Sequence, residues 1–240
     1  MSLTVYQTQT AVFQCSIISS STSSKNIRWI KNDRPLQLDH RMTVLPSGSL
    51  EITNVNYPDR GSYKCTRDGL VSRSADLNLK ALIANAAPEA PQFLNTPKGQ
   101  AVMVETDVTL ECSANGLPQP TITWLKDGRE LELDLLDTRY VKSGSGSLTI
   151  RSVKTEDEGG YQCRAENTED SLDSGLELTV TVPPAFVKTP VSHVSYEKDD
   201  ILFDCQVTGR PEPEVTWYKN GDLIIQSEYF QVNVYSFTLV

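Results

Sequence analysis

Cysteine is the residue whose number and spacing say most about chemistry in this 240-residue chain. Four of the five cysteines form two pairs with separations of 50 and 51 residues, namely Cys15 with Cys65 and Cys112 with Cys163. No Cys-x-x-Cys motif occurs and neither histidine (His40, His193) is next to a cysteine, so zinc binding is not indicated. The pairs predict two disulfide bonds in an oxidising, extracellular compartment. Each would close a loop of about 50 residues and add roughly 4 kcal/mol of stability.

Little else in the sequence could support catalysis. Two histidines, no cluster of metal ligands and no activated serine or cysteine leave few groups for acid–base or nucleophilic chemistry. The Gly/Ser-rich residues 143–147 resemble a phosphate-binding loop, but neither a Lys-Ser/Thr motif nor a helix pattern follows them. We therefore expect no enzyme activity, no metal and no cofactor.

An arginine precedes an aspartate by 18 residues twice along the chain. These pairs are Arg41 with Asp59 and Arg139 with Asp157. A catalytic role would require a nucleophile or a second acid beside each pair, and none is indicated. We interpret both as structural salt bridges between one strand and a later turn.

The elements that position these residues are predicted to be strands of β-sandwiches. The second cysteine pair brackets Trp124, and Tyr161 lies two residues before Cys163. A Cys…Trp…Tyr-x-Cys order is typical of an immunoglobulin-type sandwich, in which the bridge joins two sheets and the tryptophan packs against it. The first pair repeats the pattern around the predicted core residues Trp29 and Tyr63, and Trp217 begins a third copy.

The repeat, with a period just under 100 residues, divides the chain into modules. We predict an all-β chain of tandem immunoglobulin-like I-set domains at residues 1–82, 91–182 and 183–240, with a linker at 83–90. The first is expected to lack its A strand. The third should lack strands F and G, which would leave Cys205 as a free thiol. Val182-Pro183-Pro184 predicts a stiff, extended joint because proline restricts the backbone.

Charge is distributed unevenly among these modules. Residues 1–82 hold ten Lys/Arg against six Asp/Glu, residues 83–182 hold eight against 17, and residues 183–240 hold four against eight. The basic first domain could attract the acidic second one, or present a solvated face, or bind a polyanion such as heparan sulfate. The candidate polyanion-binding residues are Lys25, Arg28, Lys64, Arg67 and Arg73. Nucleic acid is not expected as a partner, because the net charge is −9 and no known nucleic-acid-binding motif appears.

Several segments together resemble one family of receptors. Residues 182–186, the Gly-x-Pro-x-Pro motif of residues 209–213, residues 220–232 and residues 41–52 are similar to the second to fourth immunoglobulin domains of netrin receptors. Residues 233–240 depart from the pattern of that family. The Gly-x-Pro-x-Pro motif is common to many I-set domains, whereas residues 220–232 are more specific.

The resemblance implies a function at the cell surface. Netrin receptors act in axon guidance, and their immunoglobulin domains form a horseshoe in which the second and third fold against each other. Netrin itself is bound mainly by fibronectin repeats, so the implied partners here are other extracellular proteins. Membrane attachment would come through parts absent from this chain. No signal peptide is visible at the N-terminus, and a cytosolic, muscle-type structural protein with reduced cysteines remains the alternative.

Overall fold

The computed structural model describes residues 2–17, 27–81, 86–133, 138–197, 199–227, 230–233 and 238–239. Within these ranges the regular structure consists of β-strands and two single-turn 3-10 helices. The predicted all-β class is confirmed. No helical segment in these ranges has the length and apolar character of a membrane span.

The first domain consists of a large and a small sheet. Its described strands are β1 (Ser2–Tyr6), β2 (Ala11–Phe13), β3 (Arg28–Lys31), β4 (Arg34–Pro35), β5 (Met42–Val44), β6 (Leu50–Ile52), β7 (Gly61–Arg67), β8 (Leu70–Val71) and β9 (Ala75–Lys80). The large sheet has the order β1-β9-β7-β3-β4 with β8 beside β7, and the small sheet has the order β2-β6-β5. A 3-10 turn at Tyr57–Asp59 leads from β6 to β7.

The second domain repeats this plan. Its described strands are β10 (Glu89–Asn95), β11 (Gln100–Met103), β12 (Val108–Leu110), β13 (Ser113–Leu117), β14 (Thr121–Lys126), β15 (Arg129–Glu130), β16 (Tyr140–Ser143), β17 (Ser147–Ile150), β18 (Gly159–Glu166) and β19 (Ser171–Lys188). The large sheet is β11-β19-β18-β14-β15, the small sheet is β12-β17-β16, and β10 pairs with β13. A 3-10 turn at Thr155–Asp157 precedes β18.

The third domain has shorter strands. Those described are β20 (Phe203–Asp204), β21 (Gln206–Arg210), β22 (Tyr218–Lys219), β23 (Asp222–Leu223), β24 (Val232–Asn233) and β25 (Thr238–Leu239). Strand β25 lies between β20 and β24, and β21 pairs with β19. Among the described strands β22 pairs with β23 alone, whereas its equivalents β3 and β14 also pair with β7 and β18. One edge of β22 is therefore unpaired among the described residues.

Alternation of side chains along the strands builds the two complete cores. Successive residues of a strand point to opposite faces, so every second residue is buried between the sheets. In the register of the large sheets Trp29 lies opposite Cys65, and Trp124 lies opposite Cys163. Tyr63 and Tyr161 are fully buried beside these pairs. Burying an aromatic side chain of this size stabilises a domain by about 1.5–3 kcal/mol relative to exposure.

Candidate functional site

Both predicted cysteine pairs are bonded. Cys15 and Cys65 are joined with a Cα–Cα distance of 5.8 Å, and Cys112 and Cys163 with one of 6.5 Å. Cys205 is a free thiol among the described residues and is buried. Each of the first two domains therefore has its two sheets tied together in its core.

The core tryptophans differ between the first two domains and the third one. Nε1 of Trp29 donates to the Gly48 carbonyl at 3.1 Å, and Nε1 of Trp124 donates to the Gly146 carbonyl at 2.7 Å. Trp217 is only half-buried, and its Nε1 has no hydrogen-bond partner among the described residues. The indole thus anchors the turn before β6 and before β17, but no such anchor is seen in the third domain.

The predicted arginine and aspartate pairs form at the same place in the first and second domains. Arg41 contacts Asp59 through two bonds, at 2.7 Å from Nη1 and 3.0 Å from Nη2. Arg139 contacts Asp157 in the same way, at 2.7 and 3.3 Å. Both aspartates are buried. A two-bond contact between a guanidinium and a buried carboxylate is among the strong hydrogen-bonded pairs of proteins.

In each of these domains a tyrosine bonds to the 3-10 turn that carries the buried aspartate. We call the arginine, the aspartate and this tyrosine a corner. The hydroxyl of Tyr63 donates to the Asp59 carbonyl at 2.5 Å, and that of Tyr161 donates to the Asp157 carbonyl at 2.7 Å. Burial raises the pKa of both tyrosines. The hydroxyls therefore stay protonated and act as donors that fix the 3-10 turns, as in the tyrosine corner of immunoglobulin domains.

Tyr140 is a residue of the second corner that the sequence reasoning missed. Its hydroxyl donates to Oδ1 of Asp157 at 2.5 Å, and burial raises its pKa to about 12. Burial by itself would raise the pKa of Asp157, but hydrogen bonds from Arg139, the Lys154 backbone and Tyr140 lower it below its ordinary value. The available signal was the Arg-Tyr dipeptide at residues 139–140, where the first domain has Arg41-Met42.

The candidate polyanion-binding residues are only partly brought together. Arg28 is exposed and Lys64 is half-buried, and both point away from the core on neighbouring strands. Lys64 forms an ion pair with Asp33 at 2.8 Å, which reduces its availability. By alternation Arg67 lies on the same side of β7 as Cys65, and Arg73 is exposed in the segment after β8. Lys25 lies outside the described residues.

The first and second domains contact each other directly, and we call this contact the first junction. The side chain of Asn115 bridges to the backbone of Thr10, accepting from its N–H at 3.0 Å and donating to its carbonyl at 2.7 Å. Nε2 of Gln9 donates to the Gly116 carbonyl at 3.2 Å. Gln9 and Thr10 are 5% and 3% exposed, although polar residues at a strand entrance are ordinarily solvated. This contact accounts for their burial.

Two turns and two glutamates complete the first junction. The turn before β17 supplies Ser145, whose N–H and hydroxyl donate to the Glu51 carboxylate at 2.9 and 2.5 Å. The equivalent turn of the first domain supplies Ser47, whose N–H donates to Oε1 of Glu111 at 2.7 Å. Each domain therefore offers one serine turn to a glutamate on the partner domain. Since Glu51 lies on β6 and Glu111 directly follows β12, the small sheets form this contact.

The second and third domains are joined differently, and we call this contact the second junction. Strand β19 pairs with β18 and β11 in the second domain and continues without a break to pair with β21. Val182, where β19 passes from the second domain into the third, is paired with Arg210. The Arg210 guanidinium also forms an ion pair with Glu158, which accepts a bond from the Val180 backbone at 2.9 Å. The second junction is therefore a backbone connection reinforced by one ion pair.

Among the described residues no group of three or more His, Cys, Asp or Glu could hold a metal ion. The corners consist of ion pairs and hydrogen bonds that are internal to a domain. The first junction also involves the edge of the large sheet of the first domain, because β1 and Lys80 line a shared cavity with β10.

Comparison with known proteins assigns the chain to a family. The immunoglobulin domain profile matches residues 1–67 and 90–167, and the immunoglobulin I-set profile matches residues 184–239. Human Neogenin is 37% identical over 230 residues, which is 95% of this chain and 16% of that protein. Human Netrin receptor DCC is 35% identical over 236 residues, which is 96% of this chain and 16% of that receptor. The predicted resemblance to netrin receptors is confirmed, and the chain spans about a sixth of these relatives.

Solved structures agree with the predicted architecture. The N-terminal four immunoglobulin domains of Dscam1 isoform 4.44 superimpose with a TM-score of 0.69 and 28% identity, over 95% of this chain and 64% of that one. The predicted fold class of tandem immunoglobulin-like sandwiches is therefore confirmed. The chain belongs to the immunoglobulin domain family.

Proposed function

We propose that this chain is part of the ectodomain of a netrin-receptor-like protein and serves axon guidance or cell adhesion through protein contacts. The observation that carries the proposal is the first junction. It holds the first two domains against each other through buried hydrogen bonds, so that their exposed outer surfaces keep a fixed relative position. A recognition module needs such rigidly held, solvent-facing surfaces, whereas it needs no catalytic group.

The two disulfide bonds support an extracellular location. A reducing cytosol would not maintain both bonds, and a structural protein of the cytosol would not require them. The similarity to Neogenin and Netrin receptor DCC over nearly the whole chain points to the same location. We therefore place the chain outside the cell, with extracellular proteins as partners and with membrane attachment through other parts of the receptor.

The test combines location with activity. Mass spectrometry of unreduced peptides from the native source should show Cys15–Cys65 and Cys112–Cys163 as oxidised pairs. The soluble 240-residue chain, added to netrin-responsive neurons, should bind the cell surface and reduce the turning response by competing for receptor contacts. Reduced cysteines in the native protein would contradict the extracellular assignment. Oxidised cysteines with neither surface binding nor an effect on turning would contradict the receptor assignment.

Heparan sulfate is a second candidate partner, supported by the neighbouring outward positions of Arg28 and Lys64 on the basic first domain. A heparin column should retain the chain more strongly than an Arg28→Ala/Lys64→Ala variant. A Lys142→Ala/Arg151→Ala variant, which removes two exposed charges from the acidic second domain, is the matched control. Equal elution of all three proteins would end this proposal.

A further inference from the structure

Glu51 is a charged side chain enclosed between two domains. Its residue is 0% exposed, although it lies on the outer face of the small sheet of the first domain. Its neighbours on that sheet, Val12 and Thr43, do not titrate. On the facing domain its carboxylate meets Ser145 and Gly144, and the turn is so close that a Cβ at Gly144 would overlap the carboxylate.

Across the junction, Lys98 lines the cavity beside Ser47, and a second acid, Glu111, faces Glu51. The Glu111 carboxylate is held by the Ser47 N–H at 2.7 Å and by Nδ2 of Asn95 at 2.7 Å. Among the described residues neither Glu51 nor Glu111 forms an ion pair with a lysine or an arginine. Enclosing a carboxylate without a cation, and near another acid, disfavours its charged form.

We infer that the first junction is a proton-tightened latch: uptake of a proton by the Glu51 carboxyl group closes it, and loss of that proton loosens it. The geometry permits both states. An ionised carboxylate accepts both bonds from Ser145. A protonated one still accepts the Ser145 N–H at one oxygen and donates its own proton to the Ser145 hydroxyl oxygen 2.5 Å away.

The direction follows from linkage between protonation and closure. Burial raises the pKa of Glu51 above its ordinary value of 4.5, the two bonds from Ser145 offset part of the rise, and the charge of Glu111 adds to it. In an open chain Glu51 would be solvated and titrate normally. The closed state therefore binds the proton more tightly, so closure is most favourable below 4.5 and weakens as the pH rises through the raised pKa.

Hydrogen exchange of the full chain tests the latch, with the Ser145 and Ser47 amides as reporters of opening. Exchange is measured from pH 7.5 to 5 and normalised to unfolded peptides at each pH. Protection of both amides should increase on acidification, by at most about tenfold per pH unit for one proton. The Leu131 amide, which bonds to the Trp124 carbonyl inside the second domain, should not follow this trend. Protection that is independent of pH, or that falls on acidification, would overturn the inference.

Variants identify the group that titrates. Glu51→Gln mimics the protonated acid, so both reporters should be highly protected and their pH dependence should vanish. Glu166→Gln, which changes an exposed acid on β18, is the matched control and should behave as the wild type. A pH response that persists in Glu51→Gln would refute the role of Glu51.

A second pair of variants keeps the test decisive if Glu51→Gln does not fold. Glu111→Gln removes the facing charge, so the pH response should become smaller and move to lower pH. Gly144→Ala places a methyl group against the Glu51 carboxylate at a backbone φ of +59°, so both reporters should lose protection at every pH. An unchanged response in Glu111→Gln, or a closed junction in Gly144→Ala, would count against the latch.

Discussion

Between the second and third domains one strand, β19, belongs to sheets on both sides, whereas between the first and second domains the contact is made by side chains and turns. The second junction is held by backbone pairing of β19 with β21, which has register shifts after Val182 and after Phe186, and by one exposed ion pair. The first junction depends on buried polar groups that must each find a partner. The second junction should therefore tolerate single substitutions, whereas the first junction should be sensitive to single substitutions and to pH.

The largest effect is expected from the corner that adjoins the second junction. Asp157→Ala would remove the buried carboxylate to which Arg139 and Tyr140 both donate, and should destabilise the second domain by about 3–5 kcal/mol. Urea unfolding followed by tryptophan fluorescence measures the change. Asp173→Ala, at an exposed ion pair with Arg164, is the control and should cost at most about 1 kcal/mol.

Acid should destabilise the second domain through protonation of Asp157. The pKa of Asp157 is held below its ordinary value of 3.8, so its ionised form stabilises the second domain above that pH. This stability should be lost as the pH falls through the lowered pKa. Melting temperatures between pH 5 and pH 2 should fall in the wild type and fall less in Asp157→Ala. Equal slopes in the two proteins would contradict the assignment.

A smaller loss is expected at the first junction. Asn115→Ala leaves the N–H and carbonyl of Thr10 without partners, and a buried unpaired group costs about 1–3 kcal/mol. Opening of the junction relieves this cost by letting water reach Thr10, so protection of the Ser145 amide should decrease while both domains stay folded. Asn78→Ala removes an exposed bond to Ser2 within the first domain and serves as the control. Full protection in Asn115→Ala would show that the first junction does not depend on this side chain.

The smallest effects should appear at the second junction. Arg210→Ala removes one exposed ion pair, which is worth at most about 1 kcal/mol, and the β19 backbone remains in place. The distance between the second and third domains, measured by small-angle scattering, should be unchanged. A Pro183→Gly/Pro184→Gly variant, which frees the backbone where β19 passes from the second domain into the third, should broaden the distribution of distances. A broader distribution in Arg210→Ala than in the proline variant would reverse this interpretation of the second junction.

Much of the architecture could be predicted because it depends on local patterns. The order Cys…Trp…Tyr-x-Cys, which includes Cys112 and Trp124, indicates which residues face the core, since alternation fixes the inward face of every strand. The 18-residue spacing of Arg139 and Asp157 indicated a pair that the geometry shows in contact. Tyr140 could not be assigned in this way, because its role depends on how closely β16 approaches the turn at Thr155–Asp157.

The sequence by itself determined the repeated sandwich, the bonded cysteines and the indole-centred cores, because each follows from periodicity or from the fixed geometry of a few residue types. Only the tertiary structure decided that Glu51 is buried. Alternation within Leu50–Ile52 places Glu51 on the outer face of its own domain, where it would meet water. Glu51 is buried only because the turn of the second domain that contains Gly144 and Ser145 packs against it. The sequence could not predict this, because burial between domains leaves no periodic signal along the chain.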